Sequence, residues 1–326
     1  MSLLLSINGA GDNWAVEPWL ERFSQRLPGV ELVSWPAVRF AADGPPPDAG
    51  RFRYAAVWKP PQGLLRACSG IEVIFNLGAG VDALMADPTL PADVPVVRVV
   101  TDDLTSRMTE YVVMHVLMHH RRQRDHVAAQ AREDWWAKDQ WAARELRVGV
   151  MGLGEIGRDS AEVLARLGFN VAGWSRSPRE VPGIRCYSGS DGLAAFLART
   201  DVLVVLLPLT HDTGHILARP LFERLARDGR LGGPVIINAG RGGLQNEADI
   251  LACLDDGTLT AATLDVFEVE PLPPGHPFWH HPKVTVSPHN AADSDPDAIS
   301  DYVTAQIRAH KQGQPLANVV DRVRGY

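Results

Sequence analysis

The sequence predicts an α/β protein with two doubly wound, parallel-sheet domains, and three observations carry that prediction. Short apolar strands alternate with helix-like stretches twice along the chain, once before residue 103 and again from Leu146. Such alternation builds parallel sheets, because each crossover returns through a helix. The second run opens on an apolar strand that leads into Gly152-x-Gly154-x-x-Gly157 and then a helical pattern. That run is bracketed by two long helix patterns, so the first domain is expected to be discontinuous. The boundaries read from the sequence are 1–103 plus 291–326 for one domain and 104–290 for the other.

Taken in order, the first run gives strands at Leu3–Ile7, Val30–Trp35, Tyr54–Trp58, Val73–Asn76 and Val96–Val100. A helix-like stretch, Trp14–Leu27, and a turn, Gly44-Pro45-Pro46-Pro47-Asp48, lie among them. A long periodic helix is expected over Thr105–His126, with Val112, Val113, Val116 and Leu117 facing a core. A loop with Trp135, Trp136 and Trp141 follows. The second run gives strands at Arg147–Met151, Asn170–Trp174, Val202–Leu207, Val235–Asn238, Ala262–Asp265 and Val284–Val286. The helix after the glycines reads Ile156–Leu167. An amphipathic helix, Pro296–Gln312, and a tail, Val319–Tyr326, should return to the first domain.

Composition narrows the function classes. The 326 residues can bury a sizeable core without a disulfide or metal. A net charge of −7 and only short basic clusters argue against nucleic acid as a partner. The densest cluster, Arg121-Arg122-Gln123-Arg124, reads as a solvated helix end. Cys68, Cys186 and Cys253 have no short spacing, which fits a reducing compartment. The opening run Met1–Ile7 has no basic start and is too short for a signal or membrane span. A buried strand in a cytoplasmic protein is the expectation.

The glycine run is the first functional signal. Gly152 permits a tight turn, Gly154 lets backbone approach a pyrophosphate, and Gly157 allows close helix–strand packing. Leu153, Glu155 and Ile156 complete the turn, whose helix N-terminus offers N–H groups and partial positive charge to phosphates. An NAD site wants a carboxylate after the next strand. This chain has Ser175-Arg176-Ser177 there instead. Arg176 can pair with a 2′-phosphate through a charge-assisted bond, and the two serines can add hydroxyl contacts. NADP(H) is therefore the preferred cofactor, with NAD(H) the alternative.

Three later segments end in residues suited to hydride transfer. Arg241 follows the strand Ile236–Asn238 in a glycine turn, Asp265, Glu268 and Glu270 follow the next strand, and His289 follows Val284–Val286. In an open α/β sheet, ligands bind outside the carboxyl ends of the strands.

These motifs in this order, with Asn76-Leu77-Gly78-Ala79-Gly80-Val81-Asp82 and the tail Asp321–Tyr326, resemble the D-isomer-specific 2-hydroxyacid dehydrogenase family over almost the whole chain. The resemblance leans towards its glyoxylate/hydroxypyruvate reductase A branch. It implies two Rossmann-like domains with the active-site cleft between them, closing about hinges near residues 102–104 and 290–295. It also implies roles. Arg241 binds the 2-oxoacid carboxylate and polarises the carbonyl, for which a guanidinium fork is suited. His289 is the general acid, and Glu270 orients it and favours the imidazolium. The amides of Gly78, Ala79 and Gly80 hold the carboxylate, and Trp58 walls a small pocket. Asp265 accepts from the nicotinamide amide, and Pro208 joins the cofactor set. Asn290, where many relatives carry a small residue, departs from the pattern. The subunit contact falls in the tryptophan-rich loop, so a homodimer is expected.

The implied reaction is reduction of glyoxylate to glycolate and of hydroxypyruvate to D-glycerate. Two alternatives stand beside it: a dehydrogenase for a bulkier 2-oxoacid such as phenylpyruvate, and a non-catalytic, dinucleotide-sensing protein like the corepressors of this fold. His115, His119 and His120 have helical metal spacing but no acidic third ligand, so a packed or solvated helix face is preferred and no metal is expected. His276, His280 and His281 read as surface residues of a turn-rich loop.

Overall fold

The structure, a computed structural model, describes residues 2–9 and 14–326. Met1 lies outside the described residues. The chain divides into two compact units, Met1–Leu104 with Ser294–Tyr326, and Thr105–Asp293.

The first unit contains β1 (Ser2–Ile7), α1 (Val16–Arg26), β2 (Glu31–Ser34), α2 (Ala37–Asp43), β3 (Phe52–Trp58), α3 (Leu64–Ala67), β4 (Val73–Asn76), α4 (Asp82–Met85) and β5 (Val96–Arg98). Its five strands are ordered β2-β1-β3-β4-β5, all parallel. The order reverses between β1 and β3, which is where such sheets bind ligands.

The second unit holds α5 (Asp102–His120, from Thr105), α6 (Gln123–Gln130), β6 (Arg147–Met151), α7 (Glu155–Arg166), β7 (Asn170–Ser175), β8 (Arg185–Ser188), α8 (Gly189–Ala198), β9 (Val202–Val205), α9 (Arg219–Phe222), β10 (Val235–Asn238), α10 (Glu247–Asp255), β11 (Ala261–Leu264) and β12 (Val284–Val286). Its seven parallel strands run β12-β11-β10-β9-β6-β7-β8. The reversal here lies between β6 and β9. Val148, Val150, Val202, Val204, Val235 and Ile237 are almost wholly buried in its core, as expected of strands covered on both faces.

Helix α11 (Pro296–Lys311) rejoins the first unit. Asp295 caps it by accepting from the Asp297 amide, and Pro296 sits at its first turn. Ile299, Val303 and Ile307 recur at helical spacing and share a core with Trp19 and Phe23 of α1. Arg26 then pairs with Asp297 and Asp301 across the same two helices. The tail bridges β5 antiparallel at Val97 and Val319.

Four readings of the sequence are corrected. The single helix expected over Thr105–His126 begins earlier, at Asp102, where Thr101 Oγ1 accepts from the Leu104 amide. It also stops at His120, and Arg122 adopts a left-handed backbone, φ 55°, before α6. That turn lays the Arg122 guanidinium 4.2 Å from the Trp136 ring centroid, a contact no local pattern records. Accordingly, Arg121–Arg124 is not simply a solvated helix end. Strand β8 was not expected, because Arg-Cys-Tyr-Ser at a sheet edge offers no apolar run. Finally, His276 and His281 are not simple surface residues: they pair with Glu247 at 3.2 Å and Asp255 at 3.3 Å.

The helix-face histidines pack. His115, His119 and His120 are all buried on α5. His119 Nε2 lies 2.9 Å from Thr263 Oγ1, and burial, with Arg124 and His115 nearby, pushes its imidazole down to about 3. The described residues contain no group of three or more His, Cys, Asp or Glu placed to hold a metal. None of the helices among them is long and apolar enough to cross a membrane.

Candidate active site

Two of the three glycines in the turn after β6, Gly152 and Gly157, are required by their surroundings. Gly152 has φ 112°, and a Cβ there would stand 2.7 Å from the Leu206 carbonyl beyond β9. A Cβ on Gly157 would fall 1.7 Å from the Gly152 carbonyl, so helix α7 can approach the strand only without one. A Cβ on Gly154 would meet nothing within 4 Å. Gly154 is also the N-cap of α7 and has no capping side chain. The open side and the helix N-terminus together fit a pyrophosphate, whose negative charge the helix dipole favours. Leu153 turns inward against Gly173 of β7, which sequence reading did not single out. Glu155 and Ile156 open α7, and Pro208 follows β9 beside this turn, its carbonyl accepting from Thr213 Oγ1 at 2.8 Å.

At the end of β7, Arg176 is exposed and lies 3.9 Å from Asp212. Ser175 does not behave as expected, because its hydroxyl donates to the Ser177 carbonyl at 2.8 Å. Its single proton is spent shaping the turn, so in this rotamer it cannot also donate to a phosphate.

Strands β10, β11 and β12 are neighbours, so the segments that leave their carboxyl ends lie side by side. The Arg241 turn is held from below. Asn238 donates to the Arg241 carbonyl at 3.2 Å and to Gln245 Oε1 at 3.0 Å, and Gln245 donates to the Val266 carbonyl at 2.9 Å. A Cβ on Gly242 would lie 1.8 Å from the Phe267 carbonyl, so this turn docks directly on the segment after β11. The Arg241 guanidinium itself donates to the Gly240 carbonyl at 2.6 Å.

Glu270 and His289 meet. Nδ1 of His289 is 2.7 Å from Glu270 Oε2, while Glu270 Oε1 accepts from the Phe267 amide at 3.0 Å. A carboxylate only accepts, so Nδ1 carries the proton of that contact and Nε2 is the ring atom left to face a substrate. Both side chains are part-exposed, 46% and 30%, which leaves the imidazole reachable. His289 is held at φ 53°, an unusual backbone for an L residue.

Asp265 is 1% exposed and accepts from Ser287 Oγ, the Asn290 amide and the Ala291 amide. The contact to a nicotinamide amide implied by the resemblance would have to share a carboxylate already holding the histidine loop. Asn290, flagged as a departure, takes part through its backbone.

In the first unit, Trp58 ends β3 at the point where the strand order reverses. It stacks on Trp14 with centroids 4.7 Å apart, and a Cβ on Gly78 would come within 2.4 Å of its ring. Trp58 and the Gly78–Gly80 turn are thus brought together. Asn76, buried, donates from Nδ2 to the carbonyls of Gly78 at 2.7 Å and Gly80 at 3.0 Å, pinning that turn. Asn76 and Trp14 were missed as site residues. An amide just before a glycine-rich turn was the one available signal for Asn76, and nothing local marked Trp14.

The chain is similar to known proteins over almost its whole length. Residues 113–291 match the model of the D-isomer specific 2-hydroxyacid dehydrogenase NAD binding domain. A glyoxylate/hydroxypyruvate reductase A of Serratia proteamaculans is 40% identical over 315 residues, covering 95% of this chain and 96% of that protein. The NADPH-dependent glyoxylate/hydroxypyruvate reductase of Sinorhizobium meliloti, solved with NADP and sulfate, superposes with a TM-score of 0.89 at 43% identity, over 100% of this chain and 99% of that one. A D-isomer specific 2-hydroxyacid dehydrogenase of Xanthobacter autotrophicus Py2, solved with NADPH and MES, gives 0.90 at 38%, over 99% of each chain.

Proposed function

Because the chain belongs to the D-isomer specific 2-hydroxyacid dehydrogenase family, we propose that it is an NADPH-preferring reductase of small 2-oxoacids, converting glyoxylate to glycolate and hydroxypyruvate to D-glycerate. The observation that carries this reading is the 2.7 Å His289–Glu270 pair, set beside the Arg241 turn at the carboxyl edge of a dinucleotide-binding sheet.

The reaction consumes a 2-oxoacid, NADPH and one proton and yields a 2-hydroxyacid and NADP⁺. The nicotinamide, when bound, supplies the hydride to the carbonyl carbon. Nε2 of His289 gives the proton to the carbonyl oxygen, and the Glu270 carboxylate stabilises the imidazolium and fixes its orientation. Arg241 takes the substrate carboxylate through its planar fork and draws charge from the carbonyl. Within the first unit, the amides of Gly78, Ala79 and Gly80 are assigned to carboxylate binding, a role supported by the grip of Asn76 on the carbonyls of Gly78 and Gly80. Trp58, braced by Trp14, walls the pocket and favours short substrates.

The glycine turn and the α7 N-terminus would hold the pyrophosphate, Asp265 and Pro208 would line the nicotinamide side, and Arg176 would pair with the 2′-phosphate. Arg176→Ala is expected to raise the KM for NADPH about 10-fold or more while leaving that for NADH nearly unchanged. The reading as a whole is tested by following cofactor oxidation with glyoxylate, hydroxypyruvate and phenylpyruvate, each with NADPH and NADH. Turnover of none of them would overturn the enzymatic reading, and phenylpyruvate as the best substrate would replace the small-substrate one.

The working form is a cytoplasmic homodimer in this reading. Trp135 is 94% exposed, and Met114 and Val127 are also unusually exposed for apolar side chains in the same segment of the second unit. Light scattering at micromolar concentration should give twice the 35.6 kDa chain mass. A monomeric mass would reject the dimer.

A further inference from the structure

The loop that carries His289 is gathered around one buried carboxylate. Asp265 Oδ1 accepts from the Ser287 hydroxyl at 2.7 Å and the Asn290 amide at 3.1 Å, and Oδ2 accepts from the Ala291 amide at 3.0 Å. The Asp265 carbonyl takes the His289 amide at 2.8 Å. The residues on both sides of the histidine, and its own backbone, are therefore tied to Asp265. This is what holds His289 in its left-handed conformation.

Hydrogen-bond direction extends the chain one residue further. Asp265 can only accept, so Ser287 spends its single proton there. Tyr111 Oη lies 2.7 Å from the same Ser287 oxygen, so the phenol must be the donor. Burial pushes that phenol well above its ordinary range, so it remains a donor across working pH. Tyr111 stands on α5, 176 positions before Ser287. It is fixed there by the core it shares with Val112, Val116 and Val148 and by His115, whose Nδ1 lies 2.9 Å from its carbonyl. The order is Tyr111 to Ser287 to Asp265, and from Asp265 to the backbone of His289.

We propose that Tyr111 and Ser287 are positioning residues for the reduction: they orient Asp265, which sets the backbone of His289 so that its imidazole meets Glu270. This rests on His289 being the general acid. Neither side chain touches the substrate in this scheme, so each acts on proton transfer through Asp265 and the histidine loop.

The test measures kcat and KM for Tyr111→Phe, Ser287→Ala and Ser287→Thr, alone and in a His289→Ala background. Tyr111→Phe should lower kcat about 3–10-fold and Ser287→Ala about 10-fold, the size of one buried hydrogen bond lost in the transition state. The KM for NADPH should stay within about two-fold, and Ser287→Thr should recover most of the loss. In the His289→Ala background, Tyr111→Phe should cost nothing more, because the group it positions is gone. Undiminished kcat in Tyr111→Phe, or the same loss in both backgrounds, overturns the proposal while leaving the acid role of His289 intact. Full turnover in His289→Ala alone overturns both together. Thermal melting and NADPH binding report whether each variant is folded. If Tyr111→Phe does not fold, the Ser287 pair decides alone, and a threonine variant no better than alanine overturns the proposal.

Discussion

Replacing His289 with alanine is expected to lower kcat for glyoxylate reduction by about 10²–10⁴-fold, the usual contribution of a positioned acid. The large effect follows from timing. Hydride arrival puts negative charge on the carbonyl oxygen, and no second group in the pair can neutralise it, because Glu270 can only accept from Nδ1. The fold should survive. The Asp265 contacts in this loop run to backbone amides and to Ser287, all of which remain. Glu270 is 30% exposed, so water can replace its lost partner. NADPH affinity should therefore be nearly unchanged while kcat collapses, and steady-state kinetics with a binding titration separates the two. A variant that keeps even one third of wild-type kcat would remove His289 from the mechanism.

Arg241→Ala is expected to reduce kcat/KM for 2-oxoacids by roughly 10–200-fold, corresponding to about 1.5–3 kcal/mol for a hydrogen bond to a charged group. The alanine variant loses the guanidinium's bond to the Gly240 carbonyl, but the turn keeps its other supports. Asn238 holds the Arg241 carbonyl, and Gly242 is packed against Phe267. The loss should consequently appear in substrate KM as well as in kcat, with NADPH binding retained. Arg241→Lys should restore little, because an ammonium cannot reproduce the planar two-point fork. Unchanged kcat/KM in the alanine variant would show that the carboxylate is held elsewhere.

The failures of sequence reading share a cause. The central strands of the second unit were clear because they are continuous apolar runs covered on both faces, a signal written within four or five neighbouring residues. Strand β8 lacked that signal, being a polar edge. The break after His120 brings Arg122 onto Trp136, 14 positions on, and His276 meets Glu247, 29 positions earlier. Ser175 was expected to face a phosphate, and only the turn conformation shows its proton committed to Ser177.

Two things were settled by the order of residues alone: the alternation that makes parallel sheets, and the glycine spacing after β6, since both are local patterns with a fixed period or a fixed steric need. Which side chains touch was decided only by the tertiary structure. The Asp265 hub, the donor order through Ser287 and the bracing of Trp58 by Trp14 join residues from 22 to 176 positions apart. Pairings at such separations leave no periodic trace, because they are fixed by sheet order and packing rather than by neighbouring residues.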